Sequence, residues 1–194
     1  VFHEGAVSFS GERSALTESA GKTLADLHPD YVRKVREFAA CDEASALRAA
    51  VDGAHGAFES SGGRVELSEP QHPVRVRGDG DALRHLFVNL LLNASQAMSA
   101  GGVARIDASP GEHHVVVSVL DDGVGMSDET LARAGQPFFT TRAGGTGLGL
   151  PIARQIAAAH GGAIEIARAN GRGTVVRVSL PVARDHERSP ASEG

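Results

Sequence analysis

Cysteine occurs once in the 194 residues, at Cys41, and tryptophan not at all. A single thiol excludes an internal disulfide framework and most cysteine-built zinc sites, and it fits a reducing compartment. Aromatic residues make up only 4%. Basic residues are in deficit, with 19 Lys and Arg against 24 Asp and Glu and a net charge of -5. That balance argues against nucleic acid as a main partner, because counterion release needs a basic surface. No apolar run approaches the roughly 18 to 20 residues that span a bilayer, and no signal-peptide pattern opens the chain. A cytoplasmic setting is expected. Val1 stands where an initiating Met would, as in a piece of a longer protein. The composition, 41% hydrophobic and 22% charged, is that of one globular domain with a short appendage, long enough to bury a core.

The first forty residues differ from the rest. Helix formers from Ser10 to Leu27 and from Pro29 to Ala40 have broken periodicity, and Pro29 separates them. They predict a helical appendage over residues 1–41. Asp42 reads as an N-cap for a helix through Phe58 that Gly62 and Gly63 end. Short strands follow at Arg64 to Leu67 and Val74 to Arg77, then a long helix from Asp79 to near Ala100, stopped by Gly101 and Gly102. Val103 to Ser109 and His113 to Asp121 predict a hairpin around Pro110 and Gly111. Leu150 to His160 is a helix, and Ala163 to Arg168 and Thr174 to Leu180 are strands. Paired strands with helices between them predict an α/β sandwich with a mixed sheet, over residues 42–183. The polar tail, residues 184–194, is expected to be disordered.

Gly21, Lys22 and Thr23 imitate the end of a phosphate-binding P-loop, but Leu16 stands where that loop needs another glycine. Three other places carry chemistry. In the helix from Asp79, Leu83, Leu86, Phe87, Leu90, Leu91, Ala94, Ala97 and Met98 form a core-facing stripe, with Asn89 and Asn93 together at its edge. Such amides either bond to backbone and water or offer an oxygen to a hard cation and meet a phosphate. Val115 to Leu120 runs into Asp121, Asp122, Gly123, Val124 and Gly125. This is either a plain turn or a carboxylate acceptor for adenine's amine, with glycines that let backbone approach a planar ligand. Gly144, Gly145, Thr146, Gly147, Leu148 and Gly149 lead into a helix with Pro151 in its first turn. They make a flexible linker or an anion cradle. Upstream, Phe138 and Phe139 read as core anchors, whereas Thr140, Thr141 and Arg142 are placed to reach phosphate.

In this order and spacing, the stretches LFVNLLLNASQA, DDGVGM, PFFTTR, GTGLGLPIARQIAAAHGG and GRGTVVRVSLP resemble the catalytic, ATP-binding domain of bacterial sensor histidine kinases. Those kinases share a wider family with the gyrase, Hsp90 and MutL ATPases. The short gap between PFFTTR and the glycines resembles the nitrogen-regulation type. The resemblance implies the Bergerat-type α+β fold, a two-layer α/β sandwich with a mixed, mainly antiparallel sheet and helices on one face. It also implies ATP and Mg2+ as cofactors. Asn93 would ligate Mg2+, and Asn89 would contact phosphate or the water around the metal. Asp121 would hold the adenine amine over Gly123 and Gly125. Met126 to Thr146 would form a mobile lid anchored by Phe138 and Phe139. Gly145, Thr146, Gly147, Leu148 and Gly149 would hold the triphosphate, with Arg142, Thr140 and Thr141 as phosphate contacts. His160, before Gly161 and Gly162, is expected to cap or pack rather than react.

In the related ATPases the position of Asn89 carries a glutamate base. An amide cannot take a proton from water, so the expected reaction is transfer of the terminal phosphoryl group to a protein histidine, not hydrolysis. Expected partners are a response regulator receiver domain, a helical dimerisation and phosphoacceptor region in cis or trans, and a second copy in a homodimer. The setting would be cytoplasmic, including the cytoplasmic part of a larger, membrane-bound sensor. Residues 1–41 would be a truncated or degenerate dimerisation region, in which His3 and Glu4 match an acceptor motif only in part and His3 is not expected to accept phosphate efficiently. Two alternatives are a protein-serine kinase of the anti-sigma-factor kind and a module that binds ATP without transferring phosphate.

Overall fold

The computed structural model describes residues 40–68 and 74–183. The expected helical appendage (apart from its last two residues), His3 and the tail over 184–194 lie outside them. The first strand, β1 (Ala40–Asp42), leads directly into α1 (Glu43–Ser60). Leu47, Ala50, Ala54 and Phe58 give α1 one buried stripe at helical spacing. Gly62, at φ +65, and Gly63 stop it: their amides donate to the carbonyls of Glu59 and Phe58 at 3.0 and 2.9 Å. β2 (Arg64–Ser68) follows, and β3 (Arg75–Arg77) pairs antiparallel with β1 in a separate two-stranded sheet.

The long helix α2 (Gly80–Ala97) opens on Asp79, whose carboxylate accepts from the amides of Asp81 and Ala82. It ends three residues short of Ala100, at the extended Met98, and Gly101 turns the chain with φ +81. The hairpin β4 (Val103–Pro110) and β5 (His114–Asp121) comes next, then a short helix α3 (Asp128–Arg133). After it come α4 (Gly149–Ala159), β6 (Ala163–Arg168) and β7 (Thr174–Pro181).

The main sheet has five strands in the order β2-β4-β5-β7-β6. Only β2 and β4 run parallel; the other three pairs are antiparallel. α2 packs between α1 and α4 and against β4 and β5, so the helices form one layer over one face. Between the layers, Leu83, Leu86, Phe87, Leu90 and Leu91 meet Ile106, Val115, Val117, Val178 and Leu180, all fully buried. This is the expected mixed, mainly antiparallel two-layer sandwich. None of the described helices is long and apolar enough to cross a membrane.

One bond closes the helical layer end to end. The Nε2 of His160, just past α4, accepts the amide of Asp79 at 3.0 Å, while its Nδ1 lies 2.7 Å from the carbonyl of Ile156. The Nε2 must be the unprotonated nitrogen, since it accepts. Burial pushes the imidazole pKa down, against the pull of the Ile156 carbonyl and the Asp79 carboxylate. A Cβ on Gly78 would collide with the ring at Cδ2, so glycine is required there. His160 is thus a capping and packing residue.

Candidate functional site

Asp121 ends β5 with only 7% of its surface exposed. Its Oδ1 accepts the amides of Gly123, at 2.9 Å, and Thr174, at 3.2 Å. Oδ2 makes no hydrogen bond among the described residues, so it remains an acceptor. Burial pushes the carboxyl pKa up, and the two amide bonds pull it back. Glycine is needed on both sides. A Cβ at Gly123 would lie 2.5 Å from the Ala97 carbonyl oxygen. One at Gly173, which takes φ +99, would overlap the Asp121 carbonyl. Gly125 takes φ +72 beside Gly173. These glycines are required because backbone packs on backbone around the end of β5, with one carboxylate oxygen left over there.

A second polar cluster is built from α2 and α4. Asn89 and Asn93, one turn apart, face the start of α4: a Cβ on Gly149 would lie 3.5 Å from Asn93 Nδ2 and 3.9 Å from Asn89 Oδ1. No side chain caps α4 at Leu148, so its first amides are left for an anion, at the positive end of the helix. Asn93 Oδ1 accepts from Arg142 Nη2 at 2.9 Å, while its Nδ2 is buried without a partner among the described residues. The amide oxygen therefore already faces a cation, and the amide nitrogen lacks an acceptor. That donor set suits a phosphate-bound hard cation on one side and a phosphate oxygen on the other.

Along the chain, α3 and a glycine-rich loop connect β5 to α4. Phe138 donates its amide to the Gly147 carbonyl at 3.1 Å and takes φ +63. At Gly147 a Cβ would lie 2.5 Å from the Phe138 carbonyl carbon. The Thr140 hydroxyl accepts the amide of Arg142 at 3.1 Å, and Gly145 closes on the same hydroxyl. Arg142 and Gly149 thereby lie against the amide pair, and Thr140, Gly145 and Gly147 are held within the loop by contacts of its own. Thr141 and Thr146 are exposed, and their side chains make no hydrogen bond among the described residues.

The expectation that Phe138 and Phe139 anchor in the core is overturned. Phe138 is 76% exposed, because the left-handed backbone that closes the loop turns its ring outward. Phe139 is only half-buried and lies under the Arg133 guanidinium, 4.1 Å from the ring centre.

Several partners were not singled out in the sequence. The Thr174 amide is a backbone donor, which no residue type announces. The Arg172 Nε donates to the Gly123 carbonyl at 3.1 Å, and Arg168 holds the Met126 carbonyl at 2.9 Å and the Asp128 carboxylate at 2.8 Å. Arg154 reaches the Ala134 carbonyl.

A helix-backed mixed sheet with an acceptor carboxylate at the end of β5 and an amide pair against the N-terminus of α4 defines an α+β domain of two layers. Residues 78–184, more than half of the chain, match the family model described as histidine kinase-, DNA gyrase B- and HSP90-like ATPase, and the chain belongs to that family. It is 41% identical to sporulation kinase C of Bacillus subtilis (strain 168) over 110 residues, 57% of this chain and 26% of that protein. Likewise, it is 40% identical to the sensor histidine kinase ZraS of Escherichia coli (strain K12) over 107 residues, 55% of this chain and 23% of that one. Among solved structures, the catalytic domain of histidine kinase ThkA superposes with a TM-score of 0.68 at 27% identity, covering 75% of this chain and 97% of that one. The matched part spans about a quarter of the length of these curated relatives. The chain carries the ATP-binding kinase domain of the sensor histidine kinase type.

Proposed function

We propose that this chain binds Mg-ATP and passes the terminal phosphoryl group to a histidine on a helical hairpin, as the catalytic domain of a two-component sensor. The phosphohistidine then serves a response regulator receiver domain. The carrying observation is the opposition of Asn89 and Asn93 to the open N-terminus of α4, with an amide rather than a carboxylate at both positions. Asp121 Oδ2 accepts the adenine amine, and an acceptor-only group there rejects guanine's carbonyl oxygen. Gly123 and Gly125 admit the base. Asn93 would offer its oxygen to Mg2+ and its nitrogen to a phosphate, and Asn89 would hold phosphate or the water around the metal. The bound Mg2+ would supply charge neutralisation along the phosphates.

Thr140, Arg142, Gly145, Gly147, Leu148 and Gly149 enclose the triphosphate, with Thr141 and Thr146 turning inward when nucleotide is present. Residues 126–146 form the lid. Its short outer segment supports the nitrogen-regulation-like subtype. Neither asparagine can deprotonate water, so bound ATP is held for an incoming nucleophile, and catalysis consists of alignment and charge neutralisation. The domain works in the cytoplasm, with the acceptor region supplied in cis or by a dimer partner.

The test is to incubate the chain with γ-labelled ATP, alone and with a separately supplied acceptor hairpin. An acid-labile, base-stable label on the hairpin is expected. An acid-stable label would instead mean phosphoserine and the anti-sigma-factor kind of kinase. Tight ATP binding with no transfer to any acceptor would leave a binding module only.

A further inference from the structure

Arg154 lies in the second turn of α4, and its side chain runs back to the turn that follows α3. Its Nη2 donates to the Ala134 carbonyl at 3.3 Å. A Cβ on Gly135 would lie 2.5 Å from Arg154 Nε and 3.0 Å from Cζ, so the guanidinium packs against a glycine held at φ +88. The Nε is buried without a partner, and among the described residues no carboxylate pairs with this cation. A partly buried, uncompensated guanidinium costs stability, and an apolar side chain of similar length would fill the space at less cost. Stability of α4 alone therefore gives no reason for arginine here.

What the arginine joins does give a reason. Arg154 stands five residues beyond Gly149, on the helix whose N-terminus faces Asn93. Ala134 and Gly135 form the joint between α3 and the loop that carries Arg142. The opposite end of α3 is tied independently, by Arg168 of β6 to Met126 and Asp128. We propose that Arg154 is a positioning residue that pins the inner joint of the lid to the phosphate-facing helix. α3 then stays docked at both ends, and only the segment beyond Gln136 swings to admit nucleotide and returns Arg142 to the phosphates. This rests on the ATP-binding reading wherever nucleotide affinity is the readout, and on none of it for the motion of the empty protein.

Hydrogen exchange of the nucleotide-free chain tests it, using Arg154→Met, which keeps the stem without the fork, Arg154→Lys, which keeps one donor, and Gly135→Ala. Exchange over residues 128–136 is expected to rise about tenfold or more in Arg154→Met and Gly135→Ala and to stay within about threefold of wild type in Arg154→Lys. In Arg154→Met, exchange in α4 and the sheet is unchanged and the unfolding midpoint is equal to or above wild type. The same variant weakens Mg-ATP by about tenfold and adenosine by less than about twofold. Exchange over 128–136 within twofold of wild type in Arg154→Met overturns the proposal. So does acceleration spread through α4 and the core with a lowered midpoint, which is the signature of a purely structural role. Wild type that fails to bind Mg-ATP at all would sink the function proposed above, while the exchange measurement still decides on Arg154.

Discussion

At Asp121 the needs of binding and of stability oppose each other. Burial raises its pKa, so the folded chain holds the proton more tightly than the unfolded chain does. The cost of the ionised carboxylate is absent below the ordinary value of 3.8, grows as pH rises through the folded value, and is fully present at neutral pH. Asp121→Asn keeps an acceptor for the Gly123 and Thr174 amides and removes that charge. It is expected to raise the melting temperature of the empty protein at pH 7. On the proposed role of Asp121, the same change is expected to lose a charge-assisted hydrogen bond to adenine, worth about 1.5 to 3 kcal/mol, or roughly tenfold to a hundredfold in ATP affinity. Calorimetry and thermal unfolding on the one variant check both halves, and unchanged ATP affinity would remove Asp121 from the adenine site.

Among the elements, the clasp between α2 and α4 is the most sensitive. Gly78→Ala would drive a methyl group into His160, displace the ring and leave the Asp79 amide without its acceptor. A loss of about 1 to 3 kcal/mol in urea unfolding is expected. Because burial lowers the His160 pKa, the unfolded chain takes the proton more readily, so stability falls as pH drops below the ordinary value of 6.5. His160→Gln is expected to flatten that slope, and a slope identical to wild type would assign it to another group. Element ends were legible because their signals are local: Asp79 as a cap, Gly62 and Gly101 as stops, and the apolar stripe of α2. Asn89, Asn93, Asp121 and the glycine loop were legible as well, since polar or bare residues at those places are costly without a use. The pairing of β1 with β3 was not, because three-residue strands carry too little alternation to be read. The parallel register of β2 on β4 depends on where α2 carries the chain. Phe138 was misread because residue type argues for burial while its backbone angle, invisible in composition, turns it outward.

For the molecule as a whole, Asp121 belongs to the sheet and Asn89 and Asn93 to the helical layer, so nucleotide held by both should be felt in global stability. Mg-ATP at about a hundred times its Kd is expected to add about 2.7 kcal/mol to unfolding. EDTA should remove most of that gain, and Asn93→Ala should lose the Mg2+-dependent part while adenosine still stabilises as in wild type. Equal losses with both ligands would make Asn93 a structural residue. The order of the strands has a consequence during synthesis. β7 is the last of the described strands, yet it lies between β5 and β6 and donates the Thr174 amide to Asp121. A ribosome-bound chain that has not yet released Thr174 to Pro181 has β5 as a raw edge and Asp121, the proposed adenine acceptor, without one of its two amide donors. Capture on an ATP resin should therefore begin only when the last strand has emerged. Nascent chains ending before residue 174 should pass through unbound, and their retention would mean that nucleotide binds without β7.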